Sequence, residues 1–182
     1  MKNLTFILAM VCTSLYGQNN DSIFKYESLL MSDQIVRHVP KMSQLTLYSK
    51  TLEWVGKTYL KPDNVVIAKQ DSSMLRIEGT SVSLCLIKSY GMDVRMMAKY
   101  ILQFDFKAER FRVSIMSSQI GGSDGVSFMP TLNYLKAAGA IQNGHSVKDK
   151  YQAILDSQIE LYNGLVESLQ SSFKDKPKTD NW

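Results

Sequence analysis

Cysteine and histidine are almost missing from this chain, two of each in 182 residues, and their scarcity excludes whole classes of chemistry. Cys12 lies in a segment that reads as cleaved, which leaves Cys85 alone and unable to form an internal disulfide. His38 and His145 have no second His, Cys or paired carboxylate at metal-ligand spacing, which argues against a zinc site. There is no Walker-A sequence, no dinucleotide fingerprint and no Cys-x-x-Cys pair. No catalytic residues, no metal and no cofactor are therefore expected. The basic residues do not gather into a stripe, so no nucleic acid is expected as a partner. Past the N-terminus no apolar run is long enough for a bilayer span of roughly 20 residues, and no transmembrane segment is expected there.

What is present begins with an address. Lys2 supplies a positive start, Leu4 to Val11 an apolar stretch, and Thr13 to Gly17 a polar-leaning end before Gln18. That is the layout of a secretory signal peptide, with cleavage near Gly17/Gln18. The expected mature protein is exported, periplasmic or extracellular. Lys2 is the only charge lost with residues 1–17, so 20 basic face 17 acidic residues, a net of +3. The remaining 165 residues suffice for one domain burying about 70% of its unfolded surface.

Residues 18–34 read as a lead-in or short packed segment, and 35–172 as a single domain followed by a polar tail, 173–182. Ile35–Val39 is a β-rich run stopped by Pro40. Ser43 offers an N-cap to a helix reaching about Tyr59, with Leu45, Tyr48, Leu52, Val55 and Tyr59 on one face. Val65–Lys69 and Met74–Ile87 read as strands, the second bent at Gly79. After a loop at Lys88–Met97, Tyr100, Leu102, Phe104 and Phe106 alternate with Lys99, Gln103 and Asp105. Phe111, Val113 and Ile115 alternate with Arg110, Arg112 and Ser114 in the next strand. A short helix starts near Pro130, and Ser146 is placed to cap a long one whose stripe runs from Tyr151 to Leu169. The pattern predicts an α+β fold, order β-α-β-β-β-β-α. Its antiparallel sheet has about four to five strands, with helices packed on one face.

Several of these segments resemble the domain of unknown function 4468, a family of exported proteins from Bacteroidetes-type bacteria described as having a TBP-like fold. They are Leu47–Val55, Val65-Val66-Ile67, Leu75–Gly79, the hairpin Phe104–Val113 and the helix Tyr151–Leu169. In the hairpin, Ala108-Glu109 stands where the family's turn has Asp-Gly. The resemblance implies a fold and no catalytic residue, and TBP-like topology by itself implies no DNA binding.

Gly121-Gly122-Ser123-Asp124-Gly125 matches the nucleophile elbow G-x-S-x-G, but that motif works between a parallel strand and an immediately following helix. Here the flanking pattern is an antiparallel meander, and the segment reads as a glycine-rich loop. Asp156 and Glu160 read as a solvated helix face, and Cys85 as a small buried hydrophobe. Tyr90, Met92, Met96 and Met97 make a soft apolar loop, the candidate partner or ligand surface. The functional expectation is a non-catalytic envelope protein that binds another protein or an envelope component. The alternative is a carrier holding a small apolar ligand between sheet and long helix.

Overall fold

The computed structural model describes residues 23–174, apart from Ser28, Tyr90, Ser123, Asp124, Val126 and His145. The expected signal peptide and its cleavage point lie outside the described residues, as do Ser123, His145 and most of the expected tail.

A short hairpin, β1 (Tyr26–Glu27) with β2 (Leu30–Met31), leads into β3 (Gln34–His38), α1 (Gln44–Thr58) and α2 (Pro62–Val65). Then come β4 (Val66–Gln70), β5 (Met74–Ser89), β6 (Met92–Lys107) and β7 (Arg110–Gly121). The chain closes with β8 (Phe128–Pro130), α3 (Thr131–Ala137), the small ladder β9 (Ile141–Gln142) with β10 (Ser146–Val147), and α4 (Asp149–Lys174). The main sheet is antiparallel and six-stranded, ordered β3-β7-β6-β5-β4, with β8 pairing to β7 beyond the end of β3. The expected order therefore stands, with one extra strand and two small hairpins.

Alternation places the core on one face. Along β6 the residues Met96, Ala98, Tyr100, Leu102, Phe104 and Phe106 are all buried. Leu75 and Ile77 on β5 and Phe111 and Val113 on β7 extend the same layer. Over it lie α1, through Leu47, Thr51, Trp54 and Val55, and α4, through Ile154, Leu155, Tyr162, Val166 and Leu169. Each such burial is worth roughly 1.5–3 kcal/mol. The Ser43 cap of α1, whose Oγ accepts the Thr46 N–H at 3.1 Å, contributes about 1 kcal/mol. Packing therefore holds these helices more than capping does.

The structure corrects several details. Leu45 is exposed, because the buried face of α1 is turned toward Leu47 and Trp54. Ser146 belongs to β10 and caps nothing; α4 starts at Asp149. The domain extends past residue 172, since α4 runs to Lys174 and Phe173 packs edge-on against Phe111 at 5.4 Å. The lead-in is a packed segment: Phe24 is fully buried, and its N–H and C=O both bond the Asn163 side chain, at 2.9 and 3.0 Å. At the 107–110 turn Glu109 adopts the left-handed conformation (φ 62°) that a glycine would occupy freely. Its carboxylate accepts the Lys41 N–H at 2.9 Å, and its own N–H donates to the Met42 carbonyl at 2.8 Å. Tertiary bonds thus supply what the turn residue lacks.

A polar seam crosses the core between two apolar clusters. Gln158 on α4 is wholly buried; its Nε2 donates to Ser118 Oγ (3.0 Å) and Thr131 Oγ1 (2.9 Å), and its Oε1 accepts from the Tyr26 hydroxyl (2.9 Å). Ser118 Oγ also meets the Tyr162 hydroxyl at 2.8 Å, and the Tyr59 and Tyr100 hydroxyls meet at 3.0 Å. Burial pushes the Tyr162 phenol up to about 12 and raises Tyr26, Tyr59 and Tyr100 as well. The folded state therefore keeps protons that the unfolded chain gives up near pH 10. Stability is expected to hold below about pH 10 and to fall as pH rises through the folded value of Tyr162. Urea midpoints at pH 8 and pH 11 test this; equal midpoints would contradict it.

Candidate functional site

The helices leave the second face of the sheet uncovered, and the strand register decides which side chains stand there. Residues directly opposite across antiparallel strands share a face. One row runs Gln34, Ser114, Gln103, Arg76, Ala68, and the next Val36, Arg112, Asp105, Met74, Gln70. His38, Arg110 and Lys107 make a third row at the hairpin end.

Hydrogen bonds tie these rows together. Arg112 donates from Nε (3.1 Å) and Nη2 (2.9 Å) to Asp105 Oδ2, and from Nη1 to Gln34 Oε1 (3.5 Å). Gln103 Nε2 donates to Asp105 Oδ1 (3.0 Å), while its Oε1 accepts from Arg76 Nε (3.2 Å) and Nη2 (2.6 Å). This chain crosses four strands, β5, β6, β7 and β3. Around it lies an open groove of about 610 Å³, walled by Val36, Gln70, Ser73 and Met74 as well as Arg76, Gln103, Asp105 and Arg112. Toward the other end of the same face, Val82, Leu86, Asp93, Arg95 and Met97 line a second groove of about 590 Å³. Between them Lys99 pairs with Glu78 at 2.9 Å. Cations outnumber carboxylates on this face. Arg76, Lys88, Arg95, Lys99, Lys107, Arg110 and Arg112 stand there with Glu78, Asp93 and Asp105.

The expected Met-bearing loop is corrected. Residues 88–89 and 92–97 lie on paired strands, with β5 reaching Ser89 and β6 starting at Met92. Tyr90 lies outside the described residues. Met92 is exposed on the arm, but Met96 is 1% exposed and faces the core, with the Tyr134 hydroxyl 3.9 Å from its sulfur. Met97 points to the other face, into the second groove. Strand alternation sends Met96 and Met97 to opposite sides, so the four residues do not form one surface.

Gly79 marks no bulge; the register shift falls between Ser81 and Cys85. Cys85 is half-buried, and burial raises its thiol pKa. Asp156 and Glu160 are exposed, and Asp156 Oδ1 accepts from Gln152 Nε2 at 2.9 Å. Among the described residues, no three His, Cys, Asp or Glu side chains gather as metal ligands, and no helix is long and apolar enough to cross a membrane. The stripe Tyr100, Leu102, Phe104, Phe106 is at most 3% exposed and is filled by α1 and α4, so it is packing surface. The groove-lining Arg76 was not singled out from sequence, and Gln103, Asp105, Arg110 and Arg112 were legible only as a polar face.

No protein family matches the chain by sequence, and no curated protein matches it. Among solved structures it is similar to a DUF4468 family protein from Bacteroides ovatus. The TM-score is 0.61 at 11% identity, over 80% of this chain and 86% of that one. It also matches a TBP-like protein from Parabacteroides distasonis, TM-score 0.46 at 10% identity, over 75% of this chain and 90% of that one. The first likeness establishes a shared fold: the chain has the α+β architecture of a DUF4468 family protein, as the sequence resemblance implied.

Proposed function

We propose that this chain is an exported, non-catalytic binding module of the cell envelope, and that the open sheet face is where it binds. The observation that supports this is the uncovered six-stranded face itself, with two grooves on the side opposite the helices. Grooves lined by varied polar and apolar side chains are where ligands are commonly held. The export assignment rests on the layout of residues 1–17.

Two measurements test the reading. The mature protein from its native cell should begin at or within a few residues of Gln18; an intact Met1 in cytosolic protein would overturn export. A photocrosslinking residue placed at Arg95 or Ser114, on the open face, should give a reproducible adduct in that cell. The same residue at Glu167, exposed on the outer side of α4, should not. Adducts from Glu167 alone would move the binding surface to the helices and sink the proposal.

A further inference from the structure

The groove at the β6–β7 end of the open face has a charge imbalance that its own residues do not resolve. Among the described residues Asp105 is the only carboxylate in its wall, and both of its oxygens are engaged, one by Arg112 and one by Gln103. Against it stand Arg76, Lys107, Arg110 and Arg112. Arg76 spends Nε and Nη2 on a neutral amide oxygen. Lys107 and Arg110 are exposed and make no side-chain ion pair or hydrogen bond among the described residues. Four cations around one neutralised carboxylate create a positive potential that attracts an anion and repels cationic molecules.

The remaining wall narrows the chemistry. Gln70, Ser73 and Gln103 offer amide and hydroxyl groups, while the apolar contributions are Val36 and Met74. Phe106 and Phe111 border the groove but turn their rings into the core. Without an exposed ring, the groove lacks the stacking platform that single-stranded nucleic acid needs. At about 610 Å³ it falls in the size range of small-ligand sites, roughly 300–1,000 Å³.

Taking the open face as the binding surface, as proposed above, we infer that this groove takes an acidic oligosaccharide. Its carboxylates would meet the Arg and Lys side chains, and its hydroxyls the amide and serine groups. Guanidinium groups pair with carboxylates in planar, two-point contacts, which gives such a site selectivity for acid over neutral sugar.

Calorimetric titration of the mature chain with tetragalacturonate, neutral galactotetraose and a short poly-glutamate peptide tests the assignment. Tetragalacturonate is expected to bind, weakening as salt is raised, and galactotetraose is not. Lys107→Gln with Arg110→Gln should weaken binding about tenfold or more, because two exposed cations are lost without disturbing a bonded residue. Lys136→Gln, exposed on α3 on the helix-covered side of the sheet, should leave it unchanged, and thermal unfolding of both variants should match the parent. Equal binding of the neutral sugar, binding of poly-glutamate alone, or no binding of tetragalacturonate at millimolar concentration would each overturn the inference. Open-face adducts in the cell without tetragalacturonate binding would refute the sugar assignment and leave the binding-module reading standing. Absence of open-face adducts would refute that reading itself.

Discussion

Replacing Gly79 with alanine is expected to cost about 3 kcal/mol of unfolding free energy, at the upper end of what overpacking does. Gly79 sits directly opposite Tyr100 on the β5–β6 ladder, and the tyrosine ring lies across the glycine where a side chain would go. An added Cβ would stand 2.5 Å from Tyr100 Cε2 and from the hydroxyl oxygen, and against Cζ, well inside van der Waals contact. The ring has nowhere to retreat. It is 3% exposed, its hydroxyl is bonded to Tyr59, and its edge-on contact with Tyr162 is 5.8 Å between centroids. In a Tyr100→Leu background the same alanine should cost less than about 1 kcal/mol, since the obstacle is gone. Urea unfolding of the two single variants and the double variant measures the coupling. A Gly79→Ala protein within about 0.5 kcal/mol of the parent would show that the ring moves aside freely.

Gln158→Glu is expected to be worse still at neutral pH, by about 4 kcal/mol, and to recover most of that loss in acid. The amide is wholly buried and uses Nε2 as a donor twice and Oε1 as an acceptor once. A carboxylate there loses both donated bonds and carries a charge into the core. Burial would hold the new acid's pKa above its unfolded value of about 4.3. The sign follows: stability is intact below the unfolded value and falls as pH rises through the folded one. Denaturation at pH 4 and pH 8, each referenced to the parent, separates the charge from the shape. An equal loss at both would mean that packing, not charge burial, sets the cost.

Much of the core was legible because alternation is strict where both faces have a fixed environment. Tyr100, Leu102, Phe104 and Phe106 on β6 and Phe111 and Val113 on β7 declared themselves. The same rule continues backward through Ala98, Met96 and Val94, but the stretch Lys88–Met97 read as a loop. Gly79 was visible as an oddity, while the reason for it is a ring 21 residues away in sequence, which no local pattern reports. On the open face the polar alternation was readable, but the groove depends on which rows meet across β3, β7, β6 and β5. Gln158 was not singled out from the sequence. Only tertiary packing, which brings Ser118, Thr131 and Tyr26 to it, turns it into an interior crosslink.

The sheet also sets an order of assembly. From β4 through β7 each strand pairs with the next along the chain, so this meander closes through short hairpins. The edge strand β3 differs: it pairs with β7, joining Gln34 to Ser114 across most of the domain. Phe24 reaches further still, to Asn163, a separation of 139 residues. Loop closure over such distances is slow relative to a hairpin, so the first strand of the main sheet to be synthesised is the last of β3 to β7 to be seated. A chain that emerges N-terminus first must therefore keep β3 unpaired until β7, roughly 70 to 80 residues later, has followed. Residues 34–38 stay without their partner strand in any nascent fragment that ends before Arg110.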